Sequence, residues 1–566
     1  MSNGAPRVGV IAKKGRFLMA EPLFEPGPGV TLDVRGRSDA GPGDLVLLGA
    51  GKRGPRISRV LGRPDVARDV LEALMLDRGL TRSHPRRAVG EAEEALDPPS
   101  PEGRVDLREL PTFTIDPPDA RDFDDAISAK RAGDGVRVWV HIADVSAYVR
   151  PGGALDGDAY RRGCSVYVPG AVEPMLPEAL SGDACSLRPG TDRNAVTVEM
   201  ELRPGAVGKV TFHRSLIRSD ARLDYPQVDR VFAGGERAEE PWADPLALAR
   251  GVAAELAAQR DSLEVGSSEP SFEFDADGHV TGVHADEQTE SHGLIEQLMV
   301  LANEQVAGYL ADRRLPTLYR VHEKPDPPAV ASMIDQLASL EVPTPPVPEQ
   351  MSPQQAAELA AEAPRRAAAY SRASGRGRRA FGTLVLRSLK QAFYTPQNLG
   401  HAGLASPRYC QFTSPIRRYP DLVVHRALLQ GLGLDHDAAP VHELEEAGVV
   451  SSAAERHAMQ VERDADDVCL AFLLERVLAE SDPASPPSFE GEVVGLIGAG
   501  AFVEFGAEGF EGFLPVRRLR GWWDLNEQGT ALVAGESGRE LRLGDPVEVV
   551  VGRVDAPRGR VDLHLD

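Results

Sequence analysis

The chain has 566 residues, too many for one hydrophobic core and enough for three or four domains at roughly 100 to 200 residues each. Lysine and arginine number 63 against 86 aspartates and glutamates, a net charge of −23 that excludes a uniformly basic polyanion binder and leaves local charge patterning to report on nucleic acid. Cys164, Cys185, Cys410 and Cys469 lie far apart without a CxxC pair, the N-terminus has no signal-peptide pattern, and no apolar run approaches about 18 residues; a soluble protein of the reducing cytoplasm is expected, with no zinc cluster, disulfide framework or membrane span.

From residue 7 to 62, short β-like runs (RVGVIA, RFLMA, VTLDV, DLVLL, RISRVL) alternate with Gly and Pro turns. They predict a small antiparallel module, short for a complete five-stranded barrel and read as a truncated OB or cold-shock-like unit over 1–62. GAGK at Gly49 to Lys52 fails as a phosphate loop because Val46 and Arg53 occupy its deciding positions, so no nucleotide cofactor is expected. Over 63–100 the period changes: Val66, Val70, Leu71, Leu74 and Met75 share a helical face that stops at Gly79, and a second helix is predicted from about Pro85 to Leu96, with Thr81 or Ser83 as cap. With Arg82, Arg86 and Arg87 nearby, the pair is either a helix-turn-helix or a structural connector. DPPSPEG, Asp97 to Gly103, is a linker.

Thr114 to Ala126, TIDPPDARDFDDA, concentrates Asp116, Asp122, Asp124 and Asp125 in one segment. Taken alone it is either a solvated acidic turn or a cation site, since buried carboxylates this close repel one another unless compensated. Oxygen-only ligands favour Mg²⁺, with Mn²⁺ as an alternative, ahead of zinc. Thr112 to Asp116 reads as a strand ending on Asp116, and Asp122 and Asp124, two apart in extended chain, are expected to point the same way. Val136, Val138, Val140 and Ile142 alternate with polar residues as a half-buried strand; His141 and Asp144 are candidate ligands, although a structural histidine is the favoured reading.

Farther on, Ser291 is placed as the cap of a helix reaching about Arg313, VPTPPVPEQ (Val342 to Gln350) as a surface loop, and a helix over about Ser452 to Glu480, followed by the linker DPASPPS at Asp482 to Ser488. Between Ala363 and Pro420 lie eleven basic side chains and no acidic one, interleaved with Tyr370, Phe381, Phe393, Tyr394, Tyr409 and Phe412. That pattern predicts a phosphate-tracking surface with base-stacking aromatics. The last stretch, Phe489 to Asp566, reads as an OB-type barrel with Phe502, Phe505, Phe510 and Phe513 prone to the surface. Cation site, basic tract and barrel together favour hydrolysis of a single-stranded nucleic acid by two divalent ions, with an arginine from TSPIRRYPDLVVHR (Thr413 to Arg426) at the phosphate.

TIDPPDARDFDDA, HIADVSAYV, LYRVHEKP (Leu318 to Pro325) and TSPIRRYPDLVVHR occur in this order over about 105 to 480, and together they resemble the ribonuclease II and ribonuclease R exoribonucleases. The resemblance implies an α+β multidomain chain. Its parts would be a mixed α/β RNB catalytic domain over 101–483, an S1-type OB-fold over 487–566 and the small β plus helical N-terminal region. It further implies processive 3′-to-5′ hydrolysis of RNA with a free 3′ end to nucleoside 5′-monophosphates by a two-metal mechanism, in a monomer. Carried over by position, Asp116, Asp122, Asp124 and Asp125 resemble the catalytic metal cluster and Arg417 the group that stabilises the transition state, with Arg418 beside it on the RNA. Tyr167, in CSVYVPG, resembles the aromatic at the inner end of the base stack, which sets the final product length. Phe274, or alternatively Phe272, resembles the clamp at the outer end. Tyr225 and Glu296 would lie at the 3′ nucleotide and its 2′-hydroxyl, and Glu462 would be a further RNA contact. Two departures stand out: about 100 N-terminal residues cannot hold two cold-shock domains, and no basic tail follows the last strand. Single-stranded RNA is therefore the expected substrate; a ribonuclease R-like passage through structured RNA and a non-catalytic RNA-binding relative are the alternatives.

Overall fold

The computed structural model describes residues 7–15, 17–25, 27–32, 40–50, 55–96, 100, 102–260, 269–434, 441–482 and 486–565. Its centre is a seven-stranded sheet in the order Ala221–Asp224, Phe113–Asp116, Asp125–Ala132, Gly135–Ala143, Asp192–Arg203, Ala206–Arg218, Val105–Asp106. The two outermost pairings are parallel and the inner ones antiparallel. Period-two alternation puts Val138, Val140 and Ile142 with Phe113, Ile127 and Val196 in one core, covered by the helices Ala243–Gln259 and Glu290–Asp312. The intervening residues build a hydrogen-bonded polar row across the strands. Thr112 meets Ser128 at 2.7 Å, Ser128 meets His141 at 3.1 Å, His141 meets Thr197 at 2.8 Å and Thr197 meets Ser215 at 2.6 Å. Burial pushes the His141 imidazole down to about 3, so it is neutral. Asp144 is held 2.7 Å from both Arg104 and Arg214. Both residues are thus structural, and the alternative of extra ligands falls.

The N-terminal runs form a five-stranded sheet in the order Val30–Thr31, Phe17–Pro22, Arg7–Lys14, Leu45–Gly49, Arg56–Gly62. Residues 51–54, which include the end of GAGK, and residues 97–99 and 101 of the first linker lie outside the described residues, as do 483–485 of the second. Ala67–Asp77 and Arg86–Glu94 are helical as expected, but they do not form a helix-turn-helix. The first packs on the N-terminal sheet and on the long helix Val441–Ala479, while the second packs on the helix Ala154–Arg162, so the pair is a connector. Pro85 precedes the second helix without a side-chain cap, in place of the expected Thr81 or Ser83, and Arg82 pairs with Glu72 at 3.5 Å.

The basic tract is where expectation and structure part. It begins in an alanine-faced helix, Pro353–Ser374, capped by Ser352 and Gln355 and ended by Gly375 at φ 73°. Ala356, Ala360, Ala363 and Ala367 pack with the helices Pro327–Ser339 and Ala380–Ser388 in a separate core. At least seven of the eleven cations sit in ion pairs: Arg366 with Glu362, Arg376 with Asp545, Arg379 with Glu504, Lys390 with Glu323 and Asp326, Arg408 with Asp312, Arg417 with Asp124 and Arg418 with Asp421. Phe381, Tyr394, Tyr409 and Phe412 are buried. Missing carboxylates in the local sequence are supplied from elsewhere in the chain, and these aromatics are core residues; neither a continuous free phosphate track nor a stacking platform results.

The long helix starts at Val441, eleven residues before the expected Ser452, because Leu444 and Ala447 already pack inward. Residues of this helix, of the helix Ala67–Asp77, of the N-terminal sheet and of the C-terminal barrel share one core with Val166 and Val168. The barrel closes in the order Ser488–Ile497, Gly500–Phe505, Phe510–Pro515, Arg560–Leu565, Pro546–Asp555. Phe505 and Phe510 are in its core, whereas Phe502 and Phe513 pair across strands with ring centroids 5.2 Å apart and stay partly exposed. The Arg558 guanidinium donates to the carbonyls of Leu23 and Pro22, so barrel and N-terminal module meet.

Candidate active site

The aspartate segment is a loop between two paired strands. Asp116 ends the strand Phe113–Asp116 and Asp125 opens the strand Asp125–Ala132, as the strand reading at 112–116 requires. Between them the backbone is pinned. The Arg222 Nη2 donates to the carbonyls of Pro117 and Pro118 at 2.7 Å each, Ser186 Oγ donates to the Arg121 carbonyl at 2.7 Å and accepts from Phe123 N, and Ala143 N donates to the Asp124 carbonyl at 2.9 Å. Phe123 anchors the turn in the core.

A second loop closes on this one. Ile416 N donates to Asp124 Oδ1 at 2.8 Å, and the Arg417 Nε lies 3.5 Å from Asp124 Oδ2 with its side chain 43% exposed. The loop is fixed from behind by Asp421, which is fully buried. It accepts from Ser414 N at 2.8 Å and from the Arg418 guanidinium at 2.9 and 2.7 Å. Arg418 therefore commits its Nε and Nη2 to an internal bidentate pair. Ser165 N donates to the Arg417 carbonyl at 2.9 Å, which ties the following strand, Val166–Val168, to the same place. On that strand Tyr167 donates its hydroxyl to Asp122 Oδ2 at 2.7 Å, while its own amide donates to Glu462 at 2.9 Å. Asp122 and Asp124 thus reach toward one pair of joined segments.

Tyr225 opens the helix Tyr225–Phe232 and stacks on His292, centroids 3.8 Å apart and 12° from parallel. Burial, together with the charges of Asp125 and Asp116, pushes its phenol above the ordinary range. His292 belongs to the capping box of the helix Glu290–Asp312, whose cap is Thr289 where Ser291 was expected. Glu296, one turn along from His292, is exposed. Phe274 has its ring 3.6 Å from the position of a Cβ at Gly170, three residues beyond Tyr167, with the Arg68 guanidinium 5.8 Å from the ring centroid. Phe272, the alternative, packs on the same core.

The electrostatics of the cluster are one-sided. Burial first, then Asp125, raises the Asp116 carboxyl to about 8; burial raises Asp125 to about 6; burial raises Asp124 well above the usual carboxylate range against the pull of Arg417. Asp116 Oδ2 and Asp124 Oδ2 are buried without a hydrogen-bond partner. Such atoms are costly to leave unmet. As they stand, no three His, Cys, Asp or Glu side chains among the described residues form a ready cation cage.

A model of the RNB domain matches residues 104–433, more than half of the chain, and a model of the S1 RNA binding domain matches 487–565. The chain belongs to the ribonuclease II and ribonuclease R (RNB) family. It is 37% identical to ribonuclease R of Escherichia coli over 82% of this chain and 57% of that protein, and 34% identical to ribonuclease R of Aquifex aeolicus over 90% and 72%. The chain thus spans little more than half the length of the first of these. Among solved structures it resembles Mycoplasma genitalium RNase R in complex with ribose methylated single-stranded RNA, at TM-score 0.87 and 24% identity over 99% of this chain and 90% of that one. The same relative has been solved with double-stranded RNA, matching at TM-score 0.81 over 99% and 95%.

Within this RNB fold the four aspartates, Arg417, Tyr167, Tyr225 and Glu462 are linked by contacts or charge, and Phe274 lies beside the Tyr167 hairpin. Glu296 is placed only by its helix. Four contributors escaped sequence reading: His292, Arg222, Ser186 and Asp421. Asp421 had a local signal, an acid in the first turn of a helix three residues after Arg418. The others act across 60 or more residues of sequence, as in the 65-residue separation of Ser186 from Arg121, and leave no local trace.

Proposed function

We propose that the chain is a processive 3′-to-5′ exoribonuclease that hydrolyses single-stranded RNA to nucleoside 5′-monophosphates with two divalent cations, Mg²⁺ or Mn²⁺, and works as a cytoplasmic monomer. The observation that carries this reading is the pair of buried carboxylate oxygens on Asp116 and Asp124 that accept no hydrogen bond, the second of them 3.5 Å from the partly exposed Arg417. All-oxygen donors suit hard cations, and Mg²⁺ commonly takes only one or two carboxylates, completing its shell with water and substrate phosphate. The lack of a ready cage among the protein groups alone is compatible with that habit. Asp116, Asp122, Asp124 and Asp125 would hold the cations, which when bound supply an activated water and charge neutralisation at the leaving oxygen.

The remaining roles belong to the chain. Arg417, held near Asp124 and still 43% exposed, offers its guanidinium to the equatorial phosphate oxygens as charge gathers there. Tyr167, fixed by Asp122 and Glu462, presents a ring on which the inner base stacks. Tyr225 and Glu296 flank the 3′ ribose, and the partly exposed Phe274 bounds the outer end of the stack. RNA labelled uniformly and RNA labelled at the 5′ end test the reading together: the first should release mononucleotides at once, while the second shortens to a small labelled oligonucleotide. Oligonucleotide products cut internally would overturn it.

A second reading, degradation through structured RNA, is favoured by the match over 99% of the chain to a relative solved with double-stranded RNA. A duplex with a 3′ overhang separates the two. Arrest at the junction supports a single-strand enzyme; digestion through the duplex supports the second reading.

A further inference from the structure

The 117–121 stretch that joins Asp116 to Asp122 has a second surface. On it lies an open groove of about 670 Å³, within the range of small-ligand sites, and none of the four carboxylates lines it. Its cations are Arg121, Arg188 and Arg222, from three separate segments, against the single acid Asp119. Pro118, Phe123 and Pro189 give it apolar walls. Arg222 is anchored through Nη2 on the Pro117 and Pro118 carbonyls, and its Nε is buried without a hydrogen-bond partner. Arg188 is 43% exposed, with its nearest acid, Asp183, 3.6 Å away. Arg121 is exposed. Three guanidiniums and one carboxylate line the groove, and Asp183, shared between Arg188 and Arg193, offsets part of the Arg188 charge; the excess stays positive, which suits the −1.5 to −2 carried by a phosphomonoester near neutral pH. Planar donors beside flat apolar walls suit a phosphate with a base attached.

We infer that this groove binds a nucleoside 5′-monophosphate, its phosphate held by Arg121, Arg188 and Arg222. The inference rests on the cleavage reading above, because that reaction makes this ligand at the carboxylates that flank this stretch of chain. The groove then serves as a product station.

Calorimetric titration with cytidine 5′-monophosphate in EDTA, which removes cations that could bridge the nucleotide to the carboxylates, tests the site directly. One site per chain is expected, with Arg121→Ala and Arg188→Ala each weakening binding about tenfold, the loss of one charge-assisted hydrogen bond. Inorganic phosphate should bind more weakly and cytidine not at all. Both positions are exposed, so both variants should keep the wild-type melting temperature. No binding at millimolar nucleotide, or binding unchanged in both variants, overturns the inference; equal affinity for phosphate overturns the nucleotide assignment. The titration involves no cleavage, so its failure leaves the exoribonuclease reading standing, and failure of cleavage leaves its result standing.

Discussion

Replacing Asp421 by alanine should unfold the central unit at a markedly lower temperature, and the size of the effect follows from what surrounds the carboxylate. Asp421 is fully buried and accepts three hydrogen bonds, one from Ser414 N and two from Arg418. The Arg418 side chain is 18% exposed; burial works to discharge it, and Asp421 outweighs that, holding the guanidinium above its ordinary range. Alanine leaves that cation buried and uncompensated, a loss of about 3–5 kcal/mol. At about 2–4 °C per kcal/mol, the melting temperature should drop by about 10 °C. Differential scanning calorimetry in EDTA reads the change free of cation binding. The double variant Arg418→Met with Asp421→Leu removes both charges and should regain more than half of the loss, because an absent pair costs far less than a broken one. If Asp421→Ala melts within about 2 °C of wild type, or the double variant is no better than the single one, the pair does not hold the loop.

Three further outcomes are expected. Asp116 and Asp125 are raised to about 8 and about 6, whereas an unfolded chain ionises them near 3.9. Between those values the folded state keeps protons that the unfolded state has released, so wild-type stability without cations falls as pH rises from about 4 to about 8. Asp116→Asn escapes this, so in EDTA it should melt above wild type with a gap that widens toward pH 8, and added Mg²⁺ should raise wild type more; a pH-independent gap would count against the buried-carboxylate account. Arg417→Ala should lower kcat by roughly 10²–10³ with an almost unchanged melting temperature, since its side chain is 43% exposed and acts in the transition state; gel assays under saturating RNA check this. Tyr167→Ala should lengthen the final oligonucleotide, whereas Tyr167→Phe, which loses only the hydroxyl donated to Asp122, should keep its length and slow cleavage less than about tenfold.

What could be read from residue order was the chemistry carried by contiguous motifs and by strong periodicity. The strand ending at Asp116, the alternation from Val136 to Ile142, the helix after Asp65 and the C-terminal barrel all declare themselves within windows of a few residues. The helix Pro353–Ser374 did not, because its buried face is alanine and it contains Pro364. Pairing was the larger blind spot. Eleven cations with no local acid look free on paper, yet Arg376 finds Asp545 and Arg379 finds Glu504, more than 100 residues away. Arg418 shows the same limit inside the site: its neighbour Arg417 stays 43% exposed at the carboxylates while it turns back to Asp421. Likewise His292, under Tyr225, has no sequence signal beyond a place in a helix cap.

The most direct test of the central claim compares wild type with Asp124→Asn on single-stranded RNA, with and without Mg²⁺. Asparagine keeps the acceptor that Ile416 N uses and removes the buried charge near Arg417, so the variant should fold and still bind RNA. The account predicts Mg²⁺-dependent release of nucleoside 5′-monophosphates by wild type and its near-complete loss in Asp124→Asn. Undiminished release by the variant, or release by wild type that persists in EDTA, would contradict it.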